Sequence, residues 1–344
     1  MKNIKIKYLL PFVMAFMVLG VFSSCSNDEA SSSGGGPVIT SVSLSKEGTL
    51  VPVTVGDPKN YYIIQGTGLS TVSKIYFNDF DTYFNPTLVT DTAIFVLIDE
   101  KTPYANSSNK LKLVTKQGTV LYDFVVAPPT PKFNSYNSIN AAAGDIVTVY
   151  GDYFLNPTVK VGTIDVPVIS STLTEIKFKM PANATDKYVT VTNISGSTTS
   201  EEAVGSALYD DVLQGDAGHW MWSGGDTFDT NFKDDKVQGE AAIKFVFGGW
   251  NGADMKFNSR DVSKYKAFRV KVKSVSTNTG ASVIFVFGGW AYQIKKTITS
   301  QWTTIEIPFS DIGNPTTFDQ LTLQESGNFG GNTILMDDMG FVLK

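Results

Sequence analysis

The chain has 344 residues and a mildly acidic balance, with 28 Lys and Arg residues against 33 Asp and Glu residues. This length is enough for two or three domains of ordinary size. The net charge of −5 comes with no basic stripe, and a nucleic-acid partner needs clustered Lys and Arg. The composition therefore argues against a nucleic-acid-binding protein.

The first 24 residues have the pattern of an export signal. Three lysines precede an apolar run over residues 8–22, and small residues then lead to Cys25. Because a membrane-spanning helix needs roughly 18 to 20 apolar residues, the shorter run predicts a signal peptide over residues 1–24. Cys25 is the only cysteine, so it has no internal disulfide partner. We predict that Cys25 is lipidated and holds the protein on a membrane without spanning it.

Beyond the signal, the sequence changes to a tether and then to β-structure. Residues 25–36 are rich in Ser and Gly, which predicts a flexible tether. Downstream we find short alternating runs between turn residues and no sustained helical period, which predicts an all-β fold. In residues 268–273, Phe or Val alternates with Arg or Lys. That alternation predicts a half-buried strand with its basic side in solvent.

Two breaks divide the β-rich part into three predicted domains. Three prolines within residues 127–131 remove backbone donors, which favours a boundary between residues 37–127 and 128–205. A polar stretch over residues 195–202 precedes a change in composition. Every tryptophan and the only histidine lie in the third predicted domain, residues 206–344.

The second predicted domain carries an ordered set of motifs. Ala-Gly-Asp-Ile-Val-Thr-Val-Tyr-Gly-Asp-Tyr-Phe occupies residues 143–154, followed by Val-Lys-Val-Gly at 159–162 and Met-Pro at 180–181. This pattern resembles the immunoglobulin-like IPT/TIG module. Residues 37–127 resemble a more divergent copy, with residues 62–69 in the equivalent place. The resemblance implies two tandem sandwiches that space and orient the rest of the chain.

The first of these domains also contains a group of aromatic residues. They are Tyr61, Tyr62, Tyr83 and Phe84. We interpret them as core and inter-sheet packing, because large rings in small sandwiches are most often buried.

The third predicted domain contains all five tryptophans of the chain. Phe-Val-Phe-Gly-Gly-Trp occurs at residues 245–250 and again at 285–290. Gly-Gly permits a turn or bulge, so each repeat is expected to place its tryptophan on a rim. Flat aromatic rings can stack on the C–H face of a pyranose while neighbouring polar groups reach the hydroxyls.

From this pattern we predict a carbohydrate platform. On extended backbone, residues two apart share a face, which would pair Trp220 with Trp222 and Trp290 with Tyr292. The predicted ligand-binding residues are Trp220, Trp222, Trp250, Trp290, Tyr292, Asn251 and Gln293. The alternative is that these rings fill the core of a small sandwich, and for Trp302 packing is the favoured interpretation.

Four segments of the third domain, residues 238–245, 261–269, 302–309 and 334–341, together resemble jelly-roll carbohydrate-binding modules. Such modules often hold a structural calcium ion between the first and last strands. The resemblance implies Asp210 and Asp337 as oxygen ligands for it, a donor type that calcium prefers. A solvated face or turn is the alternative explanation of these acids. No other cofactor is expected.

The whole architecture resembles the surface glycan-binding lipoproteins of Bacteroidetes polysaccharide utilisation loci. That resemblance implies an outer-membrane protein, lipid-anchored and facing the cell exterior, that captures polysaccharide for an outer-membrane importer and its companion binding protein. On family precedent we expect a β-glucan, with xylan, mannan and host glycans left open. Asp28 and Glu29 form a short acidic stretch after the cysteine, which favours surface display.

Catalysis is not expected. A glycosidase needs two carboxylates across the scissile bond, and Glu240, Glu306 and Glu325 lie in separate segments without a recognisable signature. His219 is the only histidine, and the sequence has no Gly-x-Ser-x-Gly nucleophile elbow. The competing hypothesis is a structural or adhesion lipoprotein that binds a protein partner through its immunoglobulin-like domains. Burial of Trp250 and Trp290 would favour that alternative.

Overall fold

A computed structural model of the protein describes residues 35–46, 48, 50–276, 281–326 and 331–344. This part of the chain is all-β, and its one helical element is a single 3-10 turn. It contains no helix with the length and hydropathy of a membrane span. The predicted signal peptide, Cys25 and all but the last two residues of the predicted tether lie outside the described residues.

The first unit is a sandwich of two four-stranded sheets. One sheet has the order β1-β3-β7-β6, and the other has the order β5-β4-β8-β9. A short parallel pair, β2 and β10, connects the ends of the unit. Its strands are β1 Val38–Leu44, β2 Val55–Gly56, β3 Tyr61–Thr67, β4 Val72–Phe77, β5 Phe80–Thr82, β6 Phe84–Val89, β7 Ala93–Leu97, β8 Lys110–Thr115, β9 Gly118–Asp123 and β10 Val125–Val126.

The second unit repeats this strand order. Its sheets are β11-β12-β16-β15 and β14-β13-β17-β18, so each strand has a counterpart in the first unit. The two tandem sandwiches predicted from the sequence are confirmed. The strands are β11 Lys132–Tyr136, β12 Ile146–Asp152, β13 Thr158–Val161, β14 Ile164–Val166, β15 Val168–Ser171, β16 Glu175–Lys179, β17 Tyr188–Asn193 and β18 Gly196–Ala203.

The third unit is a larger sandwich. A seven-stranded sheet has the order β20-β19-β30-β23-β22, with β25 and β28 on the other side of β30, and a five-stranded sheet has the order β21-β24-β29-β26-β27. Its elements are β19 Ala207–Asp210, β20 Val212–Leu213, β21 Asp216–Met221, β22 Thr227–Phe232, β23 Ala242–Phe247, β24 Gly252–Asp261, β25 Tyr265–Ser274, β26 Ser282–Phe287, β27 Tyr292–Thr297, β28 Thr303–Pro308, the 3-10 turn Phe309–Ile312, β29 Thr317–Glu325 and β30 Asn332–Leu343.

Three separate hydrophobic cores support these units. The first draws on residues 39–126, the second on residues 136–207 and the third on residues 208–341. Ala207 packs with the second core and its neighbour Leu208 with the third. The exact domain boundaries stay predictions, but each unit encloses apolar side chains of its own.

The second and third units meet through buried charges, and one sequence prediction is wrong there. Arg269 and Lys271 were expected to face solvent, yet only 5% and 9% of their surfaces are exposed. Arg269 bonds to Glu201 at 2.7 Å and to Glu202, while Lys271 bonds to Asp338 at 2.8 Å. The end of β18 brings Glu201 and Glu202 over β25, so the second unit covers this basic side.

Candidate functional site

The register of the five-stranded sheet decides which side chains share its outer face. Directly opposed residues of antiparallel strands point to the same side. Residues that are directly opposed on successive strands form a row across the sheet. One such row crosses all five strands and consists of Trp220, Asp254, Thr322, Val286 and Gln293. The neighbouring row of Gly252, Gln324, Ile284 and Lys295 points the same way. The intervening row, which includes Ala253, Leu323 and Phe285, lies in the third core.

Trp222 and Trp290 lie together on this outer face. Trp222 follows β21, and its indole lies across Gly252, where a Cβ would come within 2.8 Å of the ring. The Trp222 and Trp290 ring centroids are 5.8 Å apart, with an angle of 33° between the planes. About two fifths of each residue is exposed, at 39% and 43%. We call the surface formed by Trp220, Trp222 and Trp290 the aromatic face.

Asp254 fixes the centre of the aromatic face. Its Oδ2 accepts the Trp222 Nε1–H at 2.7 Å, and its Oδ1 accepts a bond from Gln320 at 3.1 Å and another from the Thr322 hydroxyl. Trp220 lies beside it, with the Lys256 ammonium 5.4 Å from the ring centroid. The carboxylate thus orients one indole and two polar side chains at once.

Trp250 and Trp290 occupy turns with left-handed backbone. Their φ angles are +61° and +77°, which are unfavourable for a residue with a Cβ. The main chain around Trp250 is held by the end of β29. The buried Glu325 carboxylate accepts the Trp250 N–H at 2.7 Å, and Gln324 donates to the Trp250 carbonyl at 3.2 Å. Half of Trp250 is exposed, at 51%.

The predicted pairing of Trp290 with Tyr292 is wrong. Residues 288–291 form a turn, so the extended backbone assumed for this pair is absent. Tyr292 opposes Phe287 at the core side of β27, and its ring lies against Gly313. Gln293, the next residue, is on the aromatic face. The structure therefore divides Tyr292 and Gln293 between opposite sides of the sheet.

The remaining predicted residues lie at the margin of the aromatic face or away from it. Asn251 is half-buried in the turn after Trp250, and its carbonyl accepts the Glu325 N–H at 2.8 Å. Trp302 is half-buried before β28 of the other sheet, where its Nε1–H donates to Asp235 at 2.9 Å. Trp302 is thus apart from the aromatic face.

Sequence reasoning missed the polar residues that β29 contributes to the aromatic face. Gln320, Thr322 and Gln324 lie about seventy residues from their partners on β24, which are opposed to them in the sheet. A strand pattern alone does not reveal which distant strand lies alongside. The available signal was the alternation of polar and apolar residues in 320–324, which marks one outward side.

The two predicted calcium ligands make hydrogen bonds to protein donors. Asp210 Oδ2 accepts the Asn140 N–H at 2.9 Å and the Ser138 hydroxyl at 3.1 Å, and Asp337 Oδ2 accepts the Val237 N–H at 2.8 Å. Among the described residues, no group of three or more His, Cys, Asp or Glu side chains could hold a metal. Calcium binding by Asp210 and Asp337 stays a prediction.

Burial also changes the proton affinity of these acids. It raises the pKa of Asp337 to about 8, with the nearby Asp338 charge adding to the effect. Burial likewise raises the pKa of Asp210 and of Asp338 to about 6 each. Burial alone would lower the pKa of Lys271, but the Asp338 and Glu202 carboxylates outweigh it and raise that pKa. The junction between the second and third units therefore contains a cluster of buried charges that lie close enough to interact.

Fold and site together define a class of protein: two immunoglobulin-like sandwiches that precede a larger two-sheet sandwich with an exposed aromatic face. Residues 131–204 match the family model of the IPT/TIG domain. Residues 208–344 match that of the expansin-like protein C-terminal domain. No curated protein matches the chain.

Three solved structures are similar to this chain or to a part of it. The surface glycan-binding protein PbSGBP-B from Prevotella bryantii aligns over 90% of this chain and 99% of its own, with 18% identity and a TM-score of 0.51. A surface glycan-binding protein from a complex xyloglucan utilization locus in Bacteroides uniformis aligns over 90% and 100%, with 16% identity and a TM-score of 0.40. A family 11 carbohydrate-binding module from Clostridium thermocellum, in complex with a mixed-linked tetrasaccharide, aligns over 36% and 87%, with 16% identity and a TM-score of 0.27. The first of these likenesses shows that the chain shares the three-unit fold of the Prevotella bryantii protein.

Proposed function

We propose that the protein binds polysaccharide on its aromatic face and does not transform it. The observation that carries this proposal is the pair of exposed indoles, Trp222 and Trp290, next to the hydrogen-bonding side chains of Asp254 and Gln320. Indoles offer apolar surface to the C–H face of a sugar ring, and the polar row offers partners to its hydroxyls. The glycan ligand of the Prevotella bryantii protein, which has the same fold, agrees with this class of ligand.

The charges of the aromatic face favour binding without catalysis. Asp254 is the only carboxylate in the outward rows given above, and its two oxygens already accept bonds from Trp222, Gln320 and Thr322. Hydrolysis by the usual glycosidase route needs two carboxyl groups placed on either side of the bond. Glu306 belongs to the other sheet and Glu325 is buried under the Trp250 turn.

The competing function is adhesion to a protein through the immunoglobulin-like units. The exposure of Trp250 and Trp290, at 51% and 43%, favours the glycan hypothesis, because the adhesion hypothesis expected these rings in the core. Large exposed aromatic groups usually mark binding surfaces.

Affinity electrophoresis and isothermal titration against soluble β-glucans, xylans and mannans test the proposal. We expect the parent to bind at least one of them, and we expect Trp222→Ala with Trp290→Ala to weaken that binding strongly. Trp302→Ala is the matched control, because it removes a tryptophan from the other sheet. Absence of binding across the panel, or equal loss in the Trp302→Ala variant, would contradict the proposal. A β-glucan is the ligand we expect.

We further propose that Cys25 is the lipidated residue and that the protein is displayed on the outer membrane, where it delivers glycan to an importer. The export pattern of residues 1–24 supports this placement. Labelled palmitate should enter the parent but not a Cys25→Ser variant. Added protease should cleave the protein on intact cells, and protection from protease would argue against a surface location.

A further inference from the structure

The first unit has an aromatic groove that the aromatic face does not explain. Tyr61, Tyr83, Phe84 and Phe95 line it together with Asn85 and Asp99, around a volume of about 300 Å³. Tyr83 is 82% exposed and Tyr61 is 48% exposed. The expectation that these two tyrosines pack in the core is therefore wrong, whereas Tyr62, at 2% exposure, does lie in the core. We call this surface the tyrosine groove.

Strand register explains why Tyr61 and Phe95 point away from the core. On β3 and β7, Tyr62 opposes Val96 and Ile64 opposes Ile94, and these pairs fill the first core. The alternate pairs therefore face away from the core, and one of them is Tyr61 with Leu97. The Tyr61 ring also stacks on Phe95, with centroids 4.8 Å apart and planes 16° apart. Phe95 thus supports Tyr61 from one side, and the exposed ring of Tyr61 is held flat.

The edge of this sheet is unsuited to a peptide strand. β6 is the edge strand, and its register with β7 shifts between Phe84 and Val89. Pro86 has no N–H to offer, and the Thr87 N–H donates to Asn85 Oδ1 at 3.0 Å. Proline, irregular register and occupied donors are features that block strand addition at a sheet edge.

The size and chemistry of the tyrosine groove suit a small ligand with an apolar face and hydroxyl groups. Its volume is at the lower end of the roughly 300–1,000 Å³ that small-molecule sites occupy. Asp99 and the Asn85 amide supply an acceptor and donors at its margin. Its lining contains no Lys or Arg among the described residues, so a phosphorylated or acidic ligand would find no counter-charge.

We infer that the tyrosine groove is a second sugar-binding site, which takes one or two pyranose rings stacked on Tyr61 and Tyr83. It shares the ligand class of the proposed function but none of its residues. The two sites lie on different units of one chain, and the inference is that both engage a single polysaccharide. Two linked sites hold a repeating ligand more tightly than either site alone.

The test uses the whole chain labelled with fluorotyrosine and followed by fluorine NMR. Tyr61→Phe and Tyr83→Phe identify the two signals. Cellotetraose, xylotetraose and mannotetraose are then titrated into the parent and into the Trp222→Ala/Trp290→Ala variant. We expect one of these sugars to shift the Tyr61 and Tyr83 signals in both proteins, because the tyrosine groove does not need the aromatic face.

A second measurement gives the contribution of the tyrosine groove to the retention of polysaccharide. In affinity electrophoresis, Tyr61→Ala/Tyr83→Ala should retain soluble polysaccharide roughly tenfold to a hundredfold more weakly than the parent. Tyr150→Ala, which removes an exposed tyrosine from the second unit, should behave as the parent does.

The outcomes separate this inference from the proposed function. Unchanged Tyr61 and Tyr83 signals with every sugar would overturn the inference, even where binding to the aromatic face persists. Shifted tyrosine signals with no effect of Trp222→Ala/Trp290→Ala on polysaccharide binding would support the tyrosine groove and contradict the proposed function. Equal retention by the Tyr61→Ala/Tyr83→Ala variant and the parent would also overturn the inference.

Discussion

Asp254 connects the side chains on which the aromatic face depends. A single carboxylate accepts the Trp222 indole N–H, the Gln320 amide and the Thr322 hydroxyl. Bonds to a charged acceptor are worth about 1.5–3 kcal/mol each, so Asp254 holds Trp222 in one orientation before any ligand arrives. A ring that is already oriented loses less conformational entropy on binding.

Replacing Asp254 with Asn should therefore weaken glycan binding about tenfold. The substituted amide has an NH2 group in place of one of the two carboxylate oxygens. Either Trp222 or the Gln320 and Thr322 pair therefore loses its acceptor. Isothermal titration with the polysaccharide that the parent binds measures the effect. Asp319→Asn is the control, since Asp319 is an exposed residue of the same sheet. Parent-like affinity in Asp254→Asn would show that Trp222 needs no such support.

The equivalent strands β3 and β12 each contain a glycine at a place where the neighbouring strand leaves no room for a side chain. A Cβ at Gly66 would collide with the Val38 carbonyl, and a Cβ at Gly151 would collide with the Lys132 carbonyl. In both units the register of the first strand shifts beside this contact. The close backbone approach explains why the motif needs glycine and why the first unit keeps it despite its divergence.

Gly151→Ala should destabilise the second unit by about 1–3 kcal/mol, as expected when an extra methyl is forced into a packed site. The methyl would meet both the Lys132 carbonyl and the Phe154 ring. Urea unfolding followed by circular dichroism measures this change. Gly224→Ala is the matched control, because a Cβ there has open space around it and its φ is not left-handed. Similar midpoints for the two variants would refute the steric argument.

At the scale of the whole molecule, buried charges connect the second unit to the third. Asp210 of the third unit accepts bonds from Ser138 and Asn140 of the second, and Glu202 of the second reaches Arg269 and Lys271 of the third. Breaking a buried pair leaves an uncompensated charge, which is costly. These contacts favour a fixed angle between the two units, so the aromatic face would keep a constant orientation to the spacer domain.

The same charges predict the pH dependence of stability. An unfolded aspartate releases its proton near pH 4, whereas the pKa of Asp337 is raised to about 8 and those of Asp210 and Asp338 to about 6. Because a raised acid pKa favours the folded state at low pH, stability should fall as the pH rises from about 4 to 8. Each unit of pKa difference is worth roughly 1.4 kcal/mol.

Thermal unfolding between pH 5 and pH 8.5 tests this expectation. The melting temperature of the parent should fall as the pH rises, and Asp337→Asn should make the curve flatter because the substituted side chain cannot ionise. Asp319→Asn should follow the parent. A melting temperature that rises with pH would mean that the Lys271 and Arg269 ion pairs outweigh the burial of Asp337.

The sequence by itself determined the all-β class, the order of the three units and the concentration of tryptophan in the third. These features depend on local composition, on alternation of neighbouring residues and on turn residues, all of which a linear pattern contains. It could also place Trp220 and Trp222 near each other, because they belong to one strand end.

Only the tertiary structure decided which rings share a surface. Trp222, Asp254, Thr322 and Trp290 come from segments up to about one hundred residues apart. Strand register brings Asp254 and Thr322 together, and the segments that follow β21 and β26 add Trp222 and Trp290. A turn, not extended backbone, separates Trp290 from Tyr292. The spacing of two residues therefore did not predict that the two side chains share a face. Arg269 and Lys271 have the alternation of a solvated strand but lie beneath Glu201 and Glu202 of another unit. Local patterns specify which side of a strand is polar, whereas the contacts of the fold decide what covers it.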